Sequence, residues 1–171
     1  MKRLLELVAI VALAVVGSGP LQAQSNPLVG TWKLNVAKSK FNPGPAPKSM
    51  TRTVEAQGDG VKYTFDGVGA DGTAIAYGFA VSFDGQDNPI RGSMPSGADT
   101  ISAKRIDSNN FEATLKKGGK VIGTSTVKVS KDGKVTTVTS KSTNAAGQAT
   151  NDVQVYDKQY EALNSIQAPN I

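Results

Sequence analysis

Along much of this chain apolar side chains recur at every second position, and the runs are cut at short intervals by glycine-rich corners. Val61, Tyr63 and Phe65 share one side of a segment while Lys62, Thr64 and Asp66 share the other. Ile75, Tyr77, Phe79, Val81 and Phe83 repeat the pattern against Ala76, Gly78, Ala80 and Ser82, and Phe111, Ala113 and Leu115 repeat it against Glu112, Thr114 and Lys116. Val121, Gly123, Ser125, Val127 and Val129 form a further one-sided row. A period of two belongs to half-buried strands, not to helices. The corners include Gly58-Asp59-Gly60, Gly69-Ala70-Asp71-Gly72, Asp84-Gly85, Gly118-Gly119 and Asp132-Gly133. Asp-Gly and Gly-Gly pairs supply the positive φ of tight hairpin turns, so consecutive strands run antiparallel.

Strands are expected near 28–34, 49–57, 61–67, 73–83, 99–106, 110–117, 120–130, 134–143 and 149–157. The stretch 134–143 is rich in Thr and Ser, so its register is the least specified. Asn35 to Lys48 holds Pro43, Pro45 and Pro47 around Gly44. Proline fixes φ and lacks a donor, so this stretch reads as a long irregular connection. Gln86 to Gly97, with two prolines, reads as a loop with at most a short extended piece. Asp157 to Ile166 reads either as a short helix with Tyr160 and Leu163 on one side or as a fraying end. Sequential hairpins that close on themselves give an all-β, antiparallel up-and-down barrel of about 8–10 strands, which leaves no long open edge. A two-sheet sandwich is the alternative. An immunoglobulin-type sandwich does not fit, because the single tryptophan, Trp32, lies on the first strand with no disulfide beside it.

The first 23 residues read as a secretory signal peptide. Lys2 and Arg3 precede the apolar run Leu7 to Val16, Gly17-Ser18-Gly19-Pro20 breaks it, and Leu21-Gln22-Ala23 ends in a small residue suited to cleavage. The run is too short to span a bilayer. Residues 24–171 then form a single domain, large enough to fold on packing alone, and the chain contains no cysteine. The expected location is exported: periplasmic or extracellular in a bacterium. The formal charge of +5 is mild, and the lysines gathered at 116, 117 and 120 and at 128, 131 and 134 read as solvated hairpin tips. With few aromatics among them, no nucleic-acid partner is expected.

Gly30-Thr31-Trp32 on the first strand, the long loop after it, and a last strand ending Val155-Tyr156-Asp157-Lys158 resemble the calycin superfamily, the lipocalins and fatty-acid-binding proteins. Trp32 to Asn35 followed by Lys38 to Phe41 is more closely similar to a group of small exported bacterial lipocalin-like proteins. The resemblance implies that Trp32 has a structural role, closing one barrel end under a basic side chain, here Lys141 or Lys158, while the long loop lies across the other end. It also implies a container for small lipophilic ligands. The chain departs from it in two places. The lipocalin Thr-Asp-Tyr motif is absent, and Gln154 stands where fatty-acid-binding proteins carry an arginine two residues before the last-strand tyrosine. A neutral amide cannot neutralise a buried carboxylate, so that clamp is not carried over.

Neither histidine nor cysteine occurs anywhere. That removes the usual zinc sites, the Ser-His-Asp triad and thiolate nucleophiles, and no enzyme activity, metal or cofactor is expected. Asp84, Asp87 and Asn88 lack calcium-loop spacing and read as turn residues. If the apolar faces point inward, Tyr63, Phe65, Tyr77, Phe79, Phe111 and Leu115 line the interior, with Arg52 or Tyr156 as a polar handle. Two readings remain open. One is an exported protein holding a small lipophilic ligand. The other is a cell-envelope or secreted interaction module, with a filled barrel, that binds protein or polysaccharide and does not insert stably into a membrane after cleavage.

Overall fold

A computed structural model of the chain describes residues 26–160. Residues 1–25, which include the segment read above as a signal peptide, and the residues beyond Tyr160, including Leu163, lie outside that range. Eleven strands form one antiparallel sheet: β1 (Gly30–Leu34), β2 (Ser49–Gln57), β3 (Gly60–Val68), β4 (Ala74–Val81), β5 (Asn88–Pro89), β6 (Arg91–Gly92), β7 (Thr100–Arg105), β8 (Asn110–Lys117), β9 (Lys120–Val129), β10 (Val135–Thr143) and β11 (Ala149–Gln159). Neighbours in the sheet are neighbours in sequence, except that β1 also pairs with β11, Trp32 opposite Lys158, and that β5 and β6 join the two far edges. The sheet therefore curls into a nearly closed up-and-down barrel, not two packed layers. Among the described residues there is no α-helix, only a 3₁₀ turn at Val36–Lys38 capped by the Asn35 side chain.

The first strand starts two residues later than its apolar run predicts. Asn26 turns the chain, its side-chain oxygen and carbonyl accepting from the Leu28 and Val29 amides. Leu28 thereby folds inward instead of extending the ladder, and it is fully buried.

The stretch 86–97 is more than a loop. Asn88–Pro89 pairs with β7 and Arg91–Gly92 with β4, so one interrupted strand fills the seam between them. The Ile90 amide donates to the Asp99 carbonyl and the Ser93 amide to that of Ala76. Each ladder is two residues long, and in the one with β7 Pro89 has no amide to donate. At Asp157–Gln159 a strand stands in place of the expected helix or fraying end: these residues continue β11 because they pair with β1 and, at Asp157, with β10, and the rest of that stretch beyond Tyr160 lies outside the described residues. The Thr- and Ser-rich β10 keeps one regular register along its length, held by β9 on one side and β11 on the other.

Candidate functional site

Because side chains alternate, cross-strand partners on the inner face stack into rows that line the barrel interior. On the β2–β3–β4 wall these rows are Val54-Tyr63-Phe79, then Arg52-Phe65-Tyr77, then Met50-Gly67-Ile75. The rings touch: Phe65 and Tyr77 stack with centroids 4.4 Å apart, and Tyr63 and Phe79 lie 4.9 Å apart. On the β9–β10–β11 wall the rows are Val129-Thr136-Tyr156, then Val127-Val138-Gln154, then Ser125-Ser140-Asp152, then Gly123-Ser142-Thr150. One wall is thus aromatic and the other becomes polar toward one end.

Between them lies a cavity of about 390 Å³, within the range of small-molecule sites. The sequence-predicted residues Arg52, Tyr63, Phe65, Tyr77, Phe79, Phe111, Leu115 and Tyr156 all line it. Phe41, Pro43, Pro45 and Pro47 of the long connection also line it, as do Met94 and Ser96, so that connection lies across one end of the cavity. It is anchored by the Asn42 amide donating to Asp152 and the Asn151 amide donating to the Asn42 carbonyl.

The opposite end is plugged. Trp32 is fully buried, and its indole Nε1 donates to the Leu28 carbonyl at 2.8 Å. The basic partner that the resemblance implies is Lys158, not Lys141: its Nζ sits 5.0 Å from the Trp32 ring centre, whereas Lys141 is exposed on the outer face. Gly30 has a φ of 133°, and a Cβ there would lie 2.7 Å from Lys158 Cε, so glycine at this position clears the path of the lysine.

Arg52 enters the cavity just above this plug. It is 2% exposed, and its guanidinium carbon lies 4.6 Å from the Tyr156 ring centre, 5.5 Å from that of Trp32 and 5.9 Å from that of Tyr63. Its Nε and Nη2 make no hydrogen bond, and among the described residues no carboxylate forms an ion pair with it. Burial lowers its pKa from the ordinary arginine value, opposed by the surrounding tyrosines. Burial likewise raises the phenols of Tyr63 and Tyr77, and pushes Tyr156 up to about 12. The Tyr156 hydroxyl donates to Gln154 Oε1 at 2.8 Å. The cavity therefore presents one desolvated cation with unused donors, held in an aromatic cage that can supply several cation–π contacts but no counter-charge.

Ser125 stands in the one-sided row of β9, but Ser140, Ser142, Thr150 and Asp152, which extend it into a polar inner patch, do not stand out in the sequence. These residues alternate with Thr, Lys and Asn, so both faces of their strands are polar and no inward side stands out.

No protein-family model and no curated protein matches the chain. Among solved structures it is similar to zebrafish ileal bile acid-binding protein complexed with cholic acid, with 14% identity, a TM-score of 0.48, and coverage of 78% of this chain and 99% of the other. It is also similar to As-p18, an extracellular fatty acid binding protein, with 16% identity, a TM-score of 0.45, and coverage of 78% and 97%. A third similar structure is the redesigned β-barrel mFAP1 bound to DFHBI, with 12% identity, a TM-score of 0.43, and coverage of 77% and 95%. The class of the chain rests on its own strand order: an antiparallel meander barrel with an internal cavity.

Proposed function

We propose that this chain is an exported binding protein whose barrel holds a small lipophilic acid, with Arg52 as the counter-ion to its acidic group. The observation that carries this is the buried, unpaired guanidinium facing a cavity otherwise lined mainly by rings and alkyl groups. Leaving a charge desolvated and unpaired is costly, and an entering carboxylate offsets that cost through two charge-assisted hydrogen bonds. The reading of the protein as an interaction module with a filled interior has less support, since the interior is not filled. Export is proposed from Lys2, Arg3 and the Leu7 to Val16 run, and a mature protein beginning at Gln24 in the extracytoplasmic fraction tests it.

Competition against a bound anionic naphthalene-sulfonate fluorophore tests the ligand class. Octadecanoic acid displaces the dye saturably, and its methyl ester does so about tenfold less well or worse, as expected for losing a charge-assisted bond. Equal competition by acid and ester would remove Arg52 from the account.

A further inference from the structure

We infer that the ligand carries a second polar group, a hydroxyl or a close equivalent, partway along its length, so that the natural occupant is an oxygenated lipophilic acid and not a plain alkyl chain. This inference rests on the proposed acid-binding reading and adds a second contact to it.

The row Ser125-Ser140-Asp152 places three polar residues side by side on adjacent strands, all on the inner face and all lining the cavity. The row beside it adds Ser142 and Thr150, which satisfy each other at 2.8 Å. Ser125 and Ser140 differ from that pair: among the described residues, neither hydroxyl makes a side-chain hydrogen bond, so both keep a donor and acceptor toward the cavity. Asp152 spends Oδ1 on the Asn42 amide and leaves Oδ2 free. Without a ligand, water can satisfy these groups. A saturated chain laid along this wall displaces that water and returns nothing, whereas a hydroxyl replaces it.

The spacing fixes where that hydroxyl must be. Tyr156, whose ring packs on Arg52, and Asp152 are four residues apart on β11. At about 3.3 Å per residue this is roughly 13 Å, or about ten to twelve carbons of extended chain from a carboxylate held at Arg52. The facing wall of Phe65, Tyr77 and Ile75 offers two rings and an alkyl side chain, with the Tyr77 hydroxyl as its one polar side-chain group. Orientation is therefore set: polar substituent toward β9–β11, hydrocarbon toward β3–β4.

Titration of the purified protein with octadecanoic acid and with its counterpart hydroxylated about twelve carbons from the carboxylate tests this. The hydroxy acid binds about five- to tenfold tighter, the worth of one well-placed hydrogen bond. Ser140→Ala weakens the hydroxy acid and tightens the plain acid, so the ratio falls toward one. Thr139→Ala, on the outer face of the same strand, leaves the ratio as it is. Equal binding of the two acids, or a preference for the plain acid, overturns the inference while leaving the Arg52 reading intact. A preference for the hydroxy acid that survives Ser140→Ala overturns the assignment to this row. Binding of neither acid removes both readings.

Discussion

The guanidinium of Arg52 and the ring of Tyr156 lie 4.6 Å apart, although one sits on β2 and the other on β11, with β1 between them. The contact exists because barrel closure brings β11 next to β1, and it leaves the cation enclosed by rings with no anion nearby. A desolvated charge of this kind works against stability in the empty protein. Arg52→Met therefore leaves the ligand-free fold at least as stable as the parent in urea unfolding, and abolishes the preference for acid over ester. A stability loss above about 2 kcal/mol would show that the cation–π contacts outweigh desolvation.

Trp32 fills the closed end together with Leu28. Trp32→Ala costs about 3–5 kcal/mol, the range for deleting a buried aromatic from a site that cannot collapse. Circular dichroism during chemical unfolding measures it, since the substitution removes the only tryptophan. A cost below about 1 kcal/mol would mean the plug is not what holds that end.

Alkaline stability carries the signature of the caged tyrosines. Burial pushes the Tyr156 phenol from 10.0 to about 12, and it raises Tyr63 and Tyr77 as well. The folded state then keeps protons that the unfolded chain releases, so stability is intact below pH 10 and declines as pH rises through about 12. Tyr156 alone contributes about 2–3 kcal/mol to that decline. Urea midpoints measured across this window fall with rising pH, and Tyr156→Phe makes the fall shallower. An unchanged slope in the variant would place the titration elsewhere.

The seam is the weakest part of the wall. β5 and β6 contribute ladders of two residues each, whereas β10 and β11 pair over nine. Amide hydrogens of Ile90 and Ser93 exchange faster than those in the middle of β10, because a short ladder opens without global unfolding. Equal protection at both places would show that the seam opens only with the whole barrel.

Much of the fold could be read from the chain because the strands that bury rings have one apolar side. Tyr63 and Phe65 against Lys62 and Thr64 specify which way β3 faces, and Asp-Gly corners specify where it turns back. The seam was legible only as a loop, since Pro89 and Gly92 suppress strand propensity and the pairing there comes from the two flanking edges. For the site, the ring-bearing residues and Arg52 stand out by type. The serine row does not, because a polar inner face on β10 looks like a polar outer one until β9 and β11 fix the register. The basic neighbour of Trp32 needed the same information: Lys141 and Lys158 are chemically equal, and only the pairing of Trp32 with Lys158 separates them.

The pairing of β1 with β11 also makes the barrel a ring in which no strand is first. Thr31 stands directly opposite Gln159, so the two ends of the described chain are neighbours in space. A short linker can join them, and new ends can open at the Gly118-Gly119 corner, where added Cβ atoms meet nothing within 4 Å. Such a permuted chain preserves every row of the interior. It changes the order of assembly: in the natural order the plugged end cannot be completed until the last strand arrives, whereas in the permuted order Trp32 and Lys158 belong to one local hairpin.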